Sequence, residues 1–145
     1  MPARGSRKFA QDKFHPKNAK KYVGSGVPTY RSSWELHFMM FCDNNANIVE
    51  WASEPLRIPY RNPITGKQSV YVPDFLVRYK DRNNKVTTEL VEIKPYKQSV
   101  IEGKQNANAR ATVAVNMAKW EQARRWAGKR GIRFRVITEK EIFRK

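Results

Sequence analysis

Val72-Pro73-Asp74-Phe75-Leu76-Val77 and Leu90-Val91-Glu92-Ile93-Lys94-Pro95, with 17 residues between the aspartate and the glutamate, are the stretches on which the fold of this chain turns. Each is an apolar, strand-forming run with charge set inside it. Gln68 to Tyr79 reads as one long strand, Lys80 to Lys85 as a polar turn and Val86 to Lys94 as a second strand, which together predict a β-hairpin. Side chains alternate across a strand, so Asp74 shares a face with Val70, Val72 and Leu76. Glu92 and Lys94, two apart, point to one face together with Leu90. Ionised groups on a largely buried face are costly unless they are paired or bind a cation.

Outward from the hairpin, Ser32 to Cys42 reads as an apolar helix opened by a serine cap and stopped by Asp43-Asn44-Asn45. Ile48 to Trp51 and Leu56 to Tyr60 read as short β segments broken by Pro55 and Pro59, and Asn62 to Lys67 reverses the chain. On the other side, a polar stretch from Pro95 to Asn108 leads into a helix. Its apolar positions Val113, Met117, Trp120, Ala123 and Ala127 recur at steps of three and four, and Gly131 ends it. Ile132, Phe134 and Val136 then alternate with Arg133 and Arg135 in a last strand. The order helix, strands, helix, strand predicts one α/β domain over residues 29–145, a mixed β-sheet flanked by helices.

The 145 residues carry 29 Lys and Arg against 13 Asp and Glu, a formal charge of +16. Such an excess calls for a polyanionic partner or an anionic surface. A membrane partner would show as an apolar run of about 18 residues or as one basic amphipathic segment, and neither is present; nucleic acid is the expected partner. Met1 to Pro28 holds seven Lys or Arg and one acid, and reads as an extended basic arm that either tracks a phosphate backbone or forms a mobile tail. Met1 to Asn18 has no apolar core or cleavage site of a secretory signal, and the single cysteine, Cys42, excludes an intrachain disulfide and a Cys-rich zinc site. Both features predict a protein that works inside a cell.

Phosphodiester hydrolysis explains why two acids and a lysine belong on these strands. A hard cation such as Mg²⁺, with Mn²⁺ as a substitute, takes oxygen ligands, usually one or two carboxylates with waters and substrate phosphate. Asp74, Glu92 and the backbone carbonyl of Ile93 make up such a protein share. The cation would polarise the phosphoryl oxygen and activate a water, and Lys94 would orient that water and offset charge on the phosphate. A simpler reading stays open, in which Lys94 forms a salt bridge with Glu92 or Asp74 on a wet strand face. Glu35 also has two readings: Ser32-Ser33-Trp34-Glu35 is a capping box in which Glu35 folds back to the Ser32 amide, yet Phe38, Met39 and Cys42 put its side of the helix toward the core, where it would complete the metal site. Lys97, Gln98, Lys119 and Arg124 are the candidate DNA contacts. Trp120 and Trp126 read as packing residues, and His15 and His37 are too isolated to form a site.

Tyr30-Arg31-Ser32-Ser33-Trp34-Glu35, Phe41-Cys42-Asp43, Ile48-Val49-Glu50-Trp51, Pro73-Asp74-Phe75, Glu92-Ile93-Lys94-Pro95 and Ala118-Lys119-Trp120 resemble the head-completion nucleases of T-even-like tailed phages, from roughly Lys13 to Glu139. A more distant similarity is to the nuclease subunit of heteromeric bacterial transposases, with its helix glutamate, Pro-Asp-Phe strand and Glu-x-Lys strand. The resemblance implies a restriction-endonuclease-like PD-(D/E)xK core, Mg²⁺-dependent DNA cleavage and a late role in phage assembly, when a filled head is made ready to join a tail. It matches Glu35, Asp74, Glu92 and Lys94 to the family's catalytic pattern. It also implies head or neck proteins as partners and a place in the host cytoplasm during assembly, or in the virion. Two alternatives stand beside it: a non-catalytic basic structural protein of the phage neck or head, and a nuclease with a restriction, transposition or junction-resolving role.

Overall fold

Strand-forming residues from four separate stretches assemble one mixed sheet, described in a computed structural model that covers residues 12–100 and 105–142. In chain order the strands are β1 (Asp12–Lys13), β2 (Thr29–Tyr30), β3 (Ile48–Ser53), β4 (Ile58–Arg61), β5 (Gln68–Tyr71), β6 (Phe75–Lys80), β7 (Val86–Ile93) and β8 (Arg133–Ile137). The helices are α1 (Ser33–Asn44), α2 (Ala107–Gly128) and the short α3 (Glu139–Ile142). The central sheet has the order β3-β6-β7-β8; β6 pairs antiparallel with β3 and β7, and β8 pairs parallel with β7. A parallel neighbour requires the chain to return to its starting end, and α2, with its 22 residues, is that crossover. The predicted mixed sheet flanked by helices and the β6–β7 hairpin are both present.

The two faces of the sheet bury different helices. Phe38, Met39 and Cys42 of α1 pack on Trp51, Phe75, Val77, Val91 and Ile93. On the opposite face Trp120 and Ala123 of α2 pack on Leu90 and on Ile58, Tyr60 and Tyr71 of the β4–β5 pair. Both turns of the two hairpins use the expected chemistry. Asn62 Oδ1 accepts the amides of Ile64 and Thr65 with Gly66 at a positive φ, and the Asp81 carboxylate accepts those of Asn83 and Lys85.

Several local expectations are corrected. Gln68 to Tyr79 is not one strand: it breaks at 72–74, β5 pairs with β4 in a separate two-stranded sheet, and only β6 joins the main one. Pro73 cannot donate to a ladder, and the chain changes sheets there. Asp74 therefore sits just ahead of β6 rather than alternating within it, and Val70, its expected neighbour in alternation, is 44% exposed on the other sheet. Pro59 does not break its segment but lies inside β4, paired with Val70 at a sheet edge. Met117 is exposed, and Asn116 takes the buried position.

Of the expected basic arm, residues 1–11 lie outside the described residues. Residues 12–28 lie against the domain: the Asp43 carboxylate, 2% exposed, accepts the amides of Lys17 and Asn18, each at 2.9 Å. Lys21 Nζ donates to the carbonyls of Asp43 and Asn45 at the end of α1, where a cation suits the helix dipole. Phe14 and Tyr22 pack their rings against Trp51. Among the described residues no helix is long and apolar enough to cross a membrane.

Candidate active site

Four elements converge where β7 ends. Glu35 comes from the first turn of α1, Asp74 from the bend before β6, Glu92 from the end of β7 and Lys94 from the residue pair that follows. Ser32 Oγ accepts the Glu35 amide at 3.1 Å, which starts α1 at the right place. The Glu35 carboxylate folds back as the capping box predicts, but to the amide of Arg31 at 3.0 Å, one residue before Ser32. Capping leaves its charge directed at the site: Glu35 lies within electrostatic reach of both Asp74 and Glu92.

Asp74 is tied to the strand that carries the other two charges. Its Oδ2 accepts the Ile93 amide at 2.7 Å, and its carbonyl accepts the Glu54 amide at 2.8 Å. Glu54 reaches that carbonyl with a φ of 47°, a left-handed backbone that a non-glycine residue adopts only under constraint. The Glu54 side chain in turn pairs with Arg31 at 3.2 Å. Glu92 is fixed on both oxygens. Tyr71 Oη donates to its Oε1 at 2.7 Å, and Lys94 Nζ lies 3.3 Å from its Oε2. The Lys94–Glu92 ion pair is thus present, and it is part of the cluster rather than a wet surface pair, since Glu92 is only 4% exposed.

The electrostatics follow from crowding three acids away from water. Burial pushes the Asp74 carboxyl well above its ordinary value, and the charges of Glu92 and Glu35 push it further, against the Ile93 amide and Lys94. Burial also raises Glu92, opposed by Lys94, Tyr71 and Lys119, and raises Glu35, opposed by the Arg31 amide. Such a site holds proton or cation more readily than solvent-exposed carboxylates do. Its donors are all oxygen, which suits a hard divalent cation. Among the described residues no three imidazole, thiol or carboxylate groups gather closely enough to enclose a cation by themselves. A cation that takes one or two carboxylates and completes its shell with waters and phosphate fits this donor set.

The expected DNA contacts separate in space. Lys119, on α2, brings its ammonium 5.9 and 5.8 Å from the ring centres of Tyr60 and Tyr71, within the field of Glu92. Lys97 and Gln98 lie on a 3-10 turn, Tyr96–Gln98, immediately past Lys94. That turn is held by the buried Asn116, which donates to the Gln98 carbonyl, and by Gln105, which donates to the carbonyls of Lys97 and Val100. Arg124 is not at this cluster; it lies over Phe134 beside a hollow of about 430 Å³ lined also by Tyr96, Met117 and Lys140. Tyr71 is the residue of the site that sequence reading missed. Its only signal was Pro73, two residues on, which marks the change of sheet.

The mixed sheet flanked by helices is of the restriction-endonuclease-like class. Residues 45–139 match the family described as TnsA-like endonuclease N terminal, and the chain belongs to that family. It is also 37% identical over 138 residues to the head completion nuclease of Enterobacteria phage T4, covering 88% of this chain and 89% of that protein.

Proposed function

We propose that this chain is a Mg²⁺-dependent deoxyribonuclease that acts in phage head completion and head-tail joining, with Glu35, Asp74, Glu92 and Lys94 as its catalytic residues. The observation that carries the chemistry is the pairing of a desolvated, half-buried Asp74 with a buried Glu92 beside Lys94, in a chain whose formal charge is +16. Burying two acids together opposes folding, and in so basic a protein it has a reason if the pair serves a bound cation and a phosphate. The biological role rests on the likeness to the T4 head completion nuclease.

Asp74, Glu92 and the Ile93 carbonyl would hold the cation, with Glu35 completing the site. When bound, the cation supplies Lewis acidity at the phosphoryl oxygen and lowers the pKa of water. Glu92 is presented in one orientation by Tyr71 and Lys94. Asp74 is held by the Ile93 amide, so the two carboxylates keep their spacing through the reaction. Lys94 Nζ donates to the attacking water and to the phosphate as negative charge builds there. Lys119 meets a neighbouring phosphate, and Lys97 and Gln98 continue the contact along the strand. Arg124, on its own side of α2, meets DNA farther from the cut.

The likeness to the T4 protein supports action in the host cytoplasm during assembly or in the finished particle, with head or neck proteins as further partners. The test is cleavage of supercoiled and linear DNA by the purified chain with Mg²⁺, Mn²⁺, Ca²⁺ or EDTA. Mg²⁺ and Mn²⁺ support cleavage and EDTA ends it; cleavage indifferent to EDTA refutes the proposal.

A further inference from the structure

Tyr71 reaches the centre from a strand that is not part of the main sheet. It ends β5, is paired with Ile58 of β4, and is 3% exposed. Its hydroxyl donates to Glu92 Oε1 at 2.7 Å, where Glu92 is itself 4% exposed, so water has little access to compete for the bond. Lys94 Nζ occupies the side of Oε2 at 3.3 Å. A donor on each oxygen fixes the plane of the carboxylate and takes up part of its lone-pair capacity. The tyrosine is held in turn, by the Ile58 pairing, by the Trp120 and Ala123 packing, and by Lys119 at its ring.

We infer that Tyr71 is a positioning residue that makes Glu92 offer one oxygen to a divalent cation, and that it thereby sets which cation the centre accepts. This rests on the proposed role of Glu92 as a metal ligand. One oxygen per carboxylate suits a small octahedral cation such as Mg²⁺, whereas Ca²⁺ takes six to eight oxygens and accepts carboxylates through both. Tyr71→Phe keeps the ring and its packing but releases Oε1, so Glu92 turns and its chelating mode opens.

The experiment measures Mg²⁺ and Ca²⁺ binding to the full chain without DNA, by titration calorimetry, in the wild type, Tyr71→Phe, Glu92→Gln and the double variant. Thermal unfolding of each is followed alongside. Glu92→Gln still accepts from Tyr71 but removes the charge. The inference expects Tyr71→Phe to remain folded and to bind Mg²⁺ about 10–100-fold more weakly, the usual effect of removing the hydrogen-bond partner of a metal ligand. Ca²⁺ affinity falls less, so the ratio of the two affinities shifts toward Ca²⁺. In the Glu92→Gln background the same change adds little, because its effect passes through Glu92. A lower melting temperature with an unchanged Mg²⁺-to-Ca²⁺ ratio makes Tyr71 a packing residue and overturns the inference, as does a loss that adds in full to that of Glu92→Gln. Unchanged Mg²⁺ affinity in Tyr71→Phe beside a clear loss in Glu92→Gln overturns it too, yet leaves Glu92 a ligand. Unchanged Mg²⁺ affinity in Glu92→Gln brings down the proposed centre, and the inference with it.

Discussion

Replacing Asp74 by Asn should raise the stability of the metal-free protein while removing its function. Asp74 is desolvated, faces the charges of Glu92 and Glu35, and is offset by the Ile93 amide, Lys94 and the more distant Arg31. Asn has the same shape, can still accept the Ile93 amide at about the present 2.7 Å, and carries no charge. The Ile93 bond weakens from charge-assisted to neutral, a loss of about 1 kcal/mol. The relief of a desolvated charge among like charges is larger, and removal of such conflicts at functional sites commonly returns about 0.5–2 kcal/mol net. For a chain of this size that is a rise of about 2–6 °C in melting temperature. Mg²⁺ acts in the opposite sense. At a hundred times its dissociation constant it stabilises the wild type by about 2.7 kcal/mol, and it has much less to bind in the variant. The assay is thermal unfolding of both proteins in EDTA and in saturating Mg²⁺. The variant melts higher in EDTA and the wild type higher in Mg²⁺; a variant that melts lower in EDTA and gains as much from Mg²⁺ refutes the reasoning.

Asp43→Ala removes the buried acceptor of the Lys17 and Asn18 amides, so it should destabilise the protein by about 1–2 kcal/mol, with amide exchange rising first at those two residues. DNA affinity should fall steeply with salt, at about 0.9 log units per neutralised phosphate; Lys119→Ala should lower that slope by about one and slow cleavage sharply, whereas Arg124→Ala lowers the slope with little change in the rate for bound DNA. The Asp81 carboxylate is held below its ordinary pKa by the Lys85 amide first and the Asn83 amide next. Its contribution is therefore present above the ordinary carboxylate pKa of about 3.9 and lost as pH falls through the lower folded value, so Asp81→Ala should flatten the acid side of a stability–pH curve measured by denaturant unfolding.

The parts of this protein that were legible in its sequence are those set by local chemistry. The serine cap at Ser32, the Asn62 and Asp81 turns, the β6–β7 hairpin and the alternation of β8 each depend on neighbours within a few residues. The spacing of Glu92 and Lys94 likewise put both on one face, where they meet at 3.3 Å. What was not legible depends on contacts distant in the chain. β5 and β6 run on as one strand-forming stretch in the sequence, and the break at Pro73 sends them to different sheets. That change of sheet is what brings Tyr71 to Glu92, 21 residues away. The helical period alone placed Met117 inward; the buried position falls to Asn116 because the 3-10 turn past Lys94 needs a donor for the Gln98 carbonyl. Phe14 and Tyr22 sit in a stretch dominated by charge and glycine, and no local period shows that both rings pack on Trp51.

The most direct measurement is the single-turnover rate of DNA cleavage by Lys94→Ala, with Mg²⁺ affinity and DNA affinity determined on the same preparation. Lys94 is assigned to the reacting phosphate and water, while the proposed ligands are other residues. The account predicts a rate lower by about two to four orders of magnitude with folding and Mg²⁺ binding retained and DNA binding only modestly weakened. A Lys94→Ala protein that binds DNA and cleaves it at the wild-type rate would show that the cluster of Glu35, Asp74, Glu92 and Lys94 is not the cleavage centre.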